Sequence, residues 1–146
     1  MTIKDWRRAR ALFRERRIPV TQQRLAVYAA LVKAKDHPSA DALYAKLKPA
    51  NPSLSLATVY KTLQTFQKAG LAGVVNAPHA EARYDAITGV HHHAICGRCG
   101  AIEDVFDARL DRLSPPRAVV KGFSVATHSV HFHGVCRDCL KGGRKR

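Results

Sequence analysis

The sequence predicts an α+β protein in which a winged helix-turn-helix over residues 1–84 precedes a small α/β domain over residues 91–140. Three observations lead to this prediction. Amphipathic helical patterns fill most of the first half, short alternating runs fill the second half, and all four cysteines of the 146-residue chain lie in that second half as two C-x-x-C pairs. Helices grouped ahead of strands are typical of α+β folds. Residues 85–90 are the predicted linker, and residues 141–146 form a basic tail.

The first helix is predicted over roughly residues 3–17. One face of it is apolar, and another face carries arginines at i+3 and i+4 spacing. The apolar positions are Ile3, Trp6, Ala9 and Phe13, and the arginines are Arg7, Arg10, Arg14 and Arg17. An arginine stripe backed by an apolar stripe suits a helix that lies along phosphate groups, although a merely solvated face is the alternative interpretation.

Two further helices follow, each with a hydroxyl residue at its start. Thr21 is the predicted N-cap of the second helix and Ser39 that of the third, which follows the break at residues 36–39. The predicted buried positions are Leu25, Tyr28, Leu31 and Val32 in the second helix and Leu43 and Leu47 in the third.

The fourth helix has Ser55 as its predicted N-cap and Gly70 as its C-terminal cap. Its apolar stripe comprises Leu56, Val59, Leu63 and Phe66. Residues 71–75 and 82–84 then read as the two strands of a hairpin wing, which completes a winged helix-turn-helix, with a purely structural helical domain as the alternative.

Residues near the start of the fourth helix and basic residues of the first two helices are the predicted contacts to DNA. Small, hydroxylic and basic side chains in the first turns suit the major groove. The predicted DNA-contacting residues are Arg7, Arg10, Arg14, Arg17, Arg24, Ala57, Thr58, Tyr60, Lys61 and Thr62.

The charge distribution agrees with a polyanionic partner. The formal net charge is +14, and residues 1–83 hold 15 Lys/Arg against 5 Asp/Glu. Double-stranded DNA is the first candidate and a membrane surface the second, with mere solubility as the alternative. No apolar run approaches the roughly 20 residues of a membrane span, and the N-terminus lacks the apolar region of a secretory signal, so we expect a cytoplasmic protein.

In the second half, residues 91–95 and 102–106 are predicted strands on either side of the first cysteine pair. Residues 107–121 are predicted to be partly helical and interrupted by Pro115 and Pro116, and residues 123–133 alternate like a strand. The two cysteine pairs, Cys96 with Cys99 and Cys136 with Cys139, predict one closed tetrahedral zinc site, since thiols in a reducing compartment favour metal over a disulfide framework.

A histidine run directly precedes the first cysteine pair. On a strand, His91 and His93 point to one face and His92 to the other. Imidazole and carboxylate donors suit Fe(II), Mn(II) or Zn(II), and the predicted oxygen donors are Asp85 and either Glu103 or Asp104. If His37 joined them, metal would tie the two domains together and act as a switch on DNA affinity.

Three groups of residues resemble the ferric uptake regulator superfamily over nearly the whole chain. They are residues 55–63 (SLATVYKTL), residues 91–100 (HHHAICGRCG) and residues 136–139 (CRDC). Residues 37–41 (HPSAD), 83–85 (RYD) and 102–105 (IEDV) are most similar to its peroxide-sensing branch.

The resemblance implies a homodimer that represses genes by binding an operator when metal is present. It implies one structural Zn²⁺ per subunit on Cys96, Cys99, Cys136 and Cys139. It implies one regulatory Fe²⁺ or Mn²⁺ on His37, Asp85, His91, His93 and Asp104. Hydrogen peroxide would add oxygen to His37 or His91, after which the metal is lost and the repressor leaves the operator.

A third metal site of iron- and zinc-sensing relatives would correspond to His92, Asp111 and His128, with Val90 in place of a further histidine. We therefore expect His92 and His128 to be surface residues or weak ligands. The resemblance assigns no role to His131 and His133. A sensor of iron or zinc availability is the alternative within the family, and a metalloenzyme using the His/Asp residues is the alternative outside it.

Overall fold

A computed structural model describes residues 3–76, 81–114 and 122–143 of the chain. The chain divides into two compact units, Met1–Thr88 and Gly89–Arg146. Asp85, which the sequence assigned to the linker, lies in the last strand of the first unit. The predicted Pro115 and Pro116 interruption, the turn residues 77–80 of the wing and the last three residues of the tail lie outside the described residues.

The described residues of the first unit form four α-helices and a short 3₁₀ turn. They are α1 (Ile3–Glu15), α2 (Gln22–Lys33), α3 (Ala40–Leu47), the 3₁₀ turn Lys48–Ala50, and α4 (Leu56–Lys68). The three predicted N-caps are confirmed, because the side-chain oxygens of Thr21, Ser39 and Ser55 each accept a backbone N–H three residues later.

Helix α1 ends earlier than predicted. The Ile18 N–H donates to the Phe13 carbonyl at 2.7 Å and the Arg17 N–H to the Arg14 carbonyl at 3.0 Å, which is the Schellman pattern of a helix end. Arg17 has a φ of 55° in this turn. The prediction that Arg17 continues the helical arginine stripe is therefore wrong, because the chain has already left the helix.

The helices enclose an apolar core built around aromatic rings. The Phe13 ring lies 5.4 Å from those of both Tyr28 and Phe66. Leu25, Leu31, Leu43, Val59 and Leu63 are buried as predicted. The prediction for Val32 is wrong: it is 51% exposed, and Val27 is the buried valine of α2.

The hairpin wing is confirmed as a two-stranded antiparallel sheet of β1 (Gly73–Val75) and β2 (Arg83–Asp85). In its register Val74 pairs with Tyr84 and Gly73 with Asp85. Tyr84 packs into the core of the first unit, so the strand that carries Arg83 and Asp85 is anchored by the residue between them.

In the part of the second unit that the structure describes, a three-stranded sheet is accompanied by two short helices. Its elements are β3 (His92–Cys96), β4 (Ile102–Val105), α5 (Ala108–Asp111), β5 (His131–Gly134) and α6 (Arg137–Leu140). The order is β4-β3-β5, with β4 antiparallel and β5 parallel to β3. The predicted long strand over residues 123–133 is wrong, since the strand in this segment begins at His131 and residues 123–130 are irregular.

Gly70 offers a test of the end of α4. Its φ is +68°, and a Cβ there would lie 3.8 Å from Arg16 Nη1, which is an ordinary contact. The cost of Gly70→Ala is therefore conformational, and we expect it to lower the free energy of unfolding by about 1 kcal/mol. Urea unfolding followed by the fluorescence of Trp6, the one tryptophan of the chain, measures this.

Gly73→Ala is the matched control for this substitution. Gly73 lies in β1, where a Cβ would be 4.0 Å from that of Asp85. This variant should unfold at an unchanged or higher urea concentration. Equal losses in the two variants would contradict the conformational explanation.

Candidate metal centres

The four cysteines of the second unit form one cluster. Cys96 ends β3, Cys99 follows in a tight turn, Cys136 precedes α6, and Cys139 lies in α6. One sulfur from each lies within 4.8 Å of the others. The Cys136 N–H donates to Cys96 Sγ at 3.3 Å, which ties the two C-x-x-C turns together.

The cluster has the chemistry of a structural zinc site. None of the four cysteines is in a disulfide, and the 3.7 Å between Cys99 Sγ and Cys136 Sγ is far longer than a disulfide bond of about 2.05 Å. Backbone N–H groups of Cys136 and Cys99 lower the pKa of Cys96 to about 6, whereas burial raises the pKa of Cys139 to about 12. A bound Zn²⁺ would deprotonate the remaining thiols and leave no open position for a substrate.

In the first unit, a histidine and a carboxylate face each other. His37 Nε2 lies 3.6 Å from Asp85 Oδ2, and both side chains are buried. The other carboxylate oxygen, Asp85 Oδ1, accepts the Ile87 N–H at 2.7 Å. This hydrogen bond orients the carboxylate so that Oδ2 is the oxygen beside His37.

In the second unit, two histidines share one carboxylate. His91 Nε2 and His93 Nε2 lie 3.7 Å and 3.8 Å from Asp104 Oδ1. His93 pairs with Asp104 across β3 and β4, so the two side chains lie on one face of the sheet. Glu103, the other predicted oxygen donor, pairs with Ala94 and is exposed on the opposite face.

The hydrogen bond of His91 determines which of its nitrogens can bind metal. His91 Nδ1 lies 2.8 Å from the Gly89 carbonyl oxygen, which can only accept. Nδ1 therefore holds the proton and Nε2, the atom beside Asp104, presents its lone pair. A metal-binding histidine is commonly oriented in this way through its other nitrogen.

Donor spacing within each set fits a shared ion. Two donors that each lie about 2.1 Å from one ion cannot be more than about 4.2 Å apart. The separations of 3.6 to 3.8 Å fall inside that limit. Two donors in the first unit and three in the second are each fewer than an octahedral ion requires.

His92, Asp111 and His128 do not form a metal-binding cluster among the described residues. His92 Nδ1 accepts the Val130 N–H at 3.1 Å, which leaves its proton on Nε2, 3.2 Å from Asp111 Oδ1. His128 Nε2 donates to the Leu110 carbonyl at 2.8 Å. The expectation that His92 is a surface residue is wrong: it is fully buried and joins β3 to the chain ahead of β5.

The two unassigned histidines lie on β5, beside β3. His131 pairs with His93, and their ring centroids are 5.4 Å apart. Burial lowers the pKa of His131. Sequence reasoning missed this neighbour of His93, since no local pattern indicates that residues 131–134 pair in parallel with β3.

The exposure of the predicted DNA-contacting residues divides them. Arg7, Arg10, Arg14 and Arg17 are exposed, as are Ala57, Tyr60 and Lys61 in α4. Thr58 is half-buried, and Arg24 is half-buried with its guanidinium donating to the Pro19 carbonyl at 2.9 Å. Thr62 is 2% exposed, so its buried side chain cannot make the predicted contact to DNA.

Tyr60 is held by a residue of α3. Its hydroxyl donates to Asp41 Oδ2 at 2.8 Å, and this hydrogen bond raises the pKa of Tyr60.

Within the described residues, none of the helices is long and apolar enough to cross a membrane.

The chain is similar to known regulators over most of its length. The model of the ferric uptake regulator family matches residues 15–133. The peroxide operon regulator of Bacillus subtilis (strain 168) is 36% identical over 141 residues, covering 97% of both chains. The peroxide-responsive repressor PerR of Staphylococcus epidermidis is 33% identical over 133 residues, covering 91% of this chain and 89% of that protein.

Solved structures agree with these matches. The Campylobacter jejuni peroxide stress regulator superimposes with a TM-score of 0.68 at 33% identity, covering 95% of this chain and 100% of that one. The Helicobacter pylori ferric uptake regulator gives a TM-score of 0.75 at 22% identity, covering 96% and 95% of the two chains, and so indicates the fold alone.

The cysteine cluster yields a test of its structural role. We expect Cys96→Ser to lose stoichiometric zinc and the cooperative unfolding of residues 89–146, because metal binding supplies folding free energy to so small a unit. Metal analysis and amide hydrogen exchange measure the two effects. The Trp6 signal of the first unit, which has its own core, should persist.

Arg137→Ala is the control, since Arg137 is exposed and adjoins a cysteine. It should keep both the zinc and the protected amides. A Cys96→Ser protein that retains zinc and a cooperative transition would show that the cluster is not structural.

Proposed function

Because this chain belongs to the ferric uptake regulator family, we propose that it is a metal-dependent repressor that senses hydrogen peroxide. As a family member it is a metal-responsive transcription regulator rather than an enzyme. The observation that carries the proposal is the pair of donor sets, His37 with Asp85 and His91 with His93 and Asp104, in which every side chain except the half-buried Asp104 is buried. Peroxide sensing is supported by relatives that are named for it and match this chain nearly end to end.

The two donor sets are proposed to bind one regulatory ion. Three neutral imidazoles and two carboxylates suit Fe(II) or Mn(II) better than the thiolate cluster does, and the two negative charges balance a divalent cation. Neither set is complete alone, so a shared ion would couple the first unit to the second. The four cysteines are proposed to hold Zn²⁺ permanently.

Oxidation of a ligand histidine is the proposed signal. Bound Fe(II) would supply the reactivity toward the O–O bond of peroxide. In the net reaction one oxygen atom of peroxide would become a carbonyl oxygen on a ring carbon of His37 or His91, the hydrogen of that carbon would move to a ring nitrogen, and the other oxygen atom would leave as water. An oxidised ring is a poorer donor, so the protein loses the ion and then the operator.

The proposed partners are a double-stranded DNA operator and a second copy of the chain. Lys61 and Tyr60 near the start of α4 are exposed, and the exposed arginines of α1 can meet phosphates. In the second unit the exposed apolar side chains of Phe132, Val135 and Leu140 support a homodimer through this unit. A cytoplasmic location accords with both DNA binding and reduced thiols.

Stoichiometric peroxide should modify the Fe(II)-loaded protein at specific peptides. Trypsin separates the candidate sites, since His37 falls in residues 36–46 and His91 in residues 84–98. We expect the mass of one oxygen atom to be added to one of these two peptides. Tandem mass spectrometry then assigns the modified ring among His91, His92 and His93.

Two controls accompany this measurement. The Mn(II)-loaded protein should remain unmodified, and residues 122–137, which carry three histidines, serve as the internal reference peptide. An unmodified Fe(II) protein whose DNA binding follows only the metal concentration would contradict peroxide sensing and favour a sensor of metal availability.

The DNA interface predicts different effects for two exposed lysines of α4. Lys61→Gln, near the start of the helix, should weaken binding to a selected operator duplex and reduce the salt slope by about 1. Lys68→Gln, in the last turn, removes the same charge and should leave the affinity for the duplex and the salt slope nearly unchanged. Fluorescence anisotropy at several salt concentrations measures them, and equal effects would argue against recognition by the start of α4.

A further inference from the structure

His37 lies in a strained turn between α2 and α3. Its φ of 48° lies in the left-handed region, which is unfavourable for a residue with a Cβ, and it precedes Pro38, which restricts its backbone further. Such a conformation persists only where the surroundings impose it. The turn must therefore be held by contacts outside itself.

Three successive carbonyls of this turn accept hydrogen bonds from β2. Arg83 Nη2 donates to the Asp36 carbonyl at 2.8 Å, and Arg83 Nε donates to the His37 carbonyl. The Tyr84 N–H donates to the Pro38 carbonyl at 3.0 Å. The planar fork of a guanidinium can serve two neighbouring carbonyls at once, which a lysine ammonium does less well.

Strand β2, which donates these hydrogen bonds to the turn, also carries Asp85, the carboxylate beside His37. Arg83 and Asp85 are two residues apart in β2, so their side chains project to the same side of the hairpin. Arg83 holds the backbone of the turn, and Asp85 Oδ2 faces the ring nitrogen Nε2 at 3.6 Å. The backbone conformation of His37 decides whether its ring reaches that carboxylate.

We propose that Arg83 is a positioning residue for the regulatory ion, acting through the backbone of His37 rather than by contact with the metal. This inference rests on the proposed function, because it assigns His37 as a ligand. A cation this near would by its charge alone weaken binding of a divalent ion. Positioning and charge therefore predict opposite signs when Arg83 is replaced.

The test compares Arg83→Met and Arg83→Lys in protein that keeps its cysteine-bound zinc. Loss of positioning should weaken Mn(II) binding about 10- to 100-fold in Arg83→Met, with a smaller loss in Arg83→Lys, which keeps the charge. Competition with a fluorescent chelator measures the affinity. Arg16→Met, which removes an exposed arginine that also donates to a carbonyl, should bind Mn(II) like the unmodified protein.

A His37→Ala background separates positioning from general damage. There, Arg83→Met should cause no further loss of Mn(II) affinity, since the ligand it positions is gone. An equal loss in both backgrounds, or tighter binding by Arg83→Met, would overturn the proposal.

A readout without the regulatory metal keeps this inference distinct from the proposed function. Backbone ¹³C shifts of His37 in protein stripped at that site should leave the left-handed range in Arg83→Met and shift less in Arg83→Lys. Unchanged shifts would overturn the positioning role. If the shifts change but His37→Ala binds Mn(II) normally, Arg83 does hold the backbone of His37 but the assignment of His37 as a ligand fails.

Discussion

The hydrogen-bond ladder of β3 determines the arrangement of both clusters in the second unit. This one strand begins with His92 and His93 and ends at Cys96, and it is central between β4 and β5. Because side chains alternate, its register with β4 places Asp104 on the same face as His93. A slip of one residue would bring Glu103 or Val105 there instead and turn Asp104 to the opposite face. The cysteine cluster lies at the far end of the same strand, where Cys96 pairs with Gly134 of β5 and its sulfur accepts the Cys136 N–H.

The first unit depends on a core that positions a hairpin. Phe13, Tyr28 and Phe66 bring α1, α2 and α4 together, and Tyr84 joins the same core from β2. With Tyr84 anchored, its neighbours Arg83 and Asp85 are presented to the turn at His37. Apolar packing thus supports a strained polar turn, which is a common relation between a stable scaffold and a functional site.

The thiolate cluster and the histidine and carboxylate donors suit ions that behave differently. Four thiolates suit an ion that stays bound and only stabilises the fold. Imidazole and carboxylate donors suit an ion that exchanges, and they are divided between the units, two in one and three in the other. On the proposed function, the regulatory ion favours the conformation in which all five donors are within its reach, and DNA affinity follows that equilibrium. Loss of one histidine donor would be enough to shift it.

Local chemistry was legible in the sequence by itself. The caps Thr21, Ser39 and Ser55, the glycine that ends α4 and the wing all follow from short-range rules of hydrogen bonding and backbone conformation. The C-x-x-C spacing and the alternation of His91 and His93 likewise indicate which side chains share a turn or a face.

Burial, exposure and strand register that depend on contacts between distant segments were determined only by the tertiary structure. It buried Thr62 and His92, exposed Val32, chose Asp104 over Glu103, and paired residues 131–134 in parallel with β3. It also showed that Arg83 donates a hydrogen bond to the His37 carbonyl, 46 residues away in the chain. Periodicity specifies which residues share a face of an element, but the partner of that face and the register of a long-range pairing depend on how the whole chain packs.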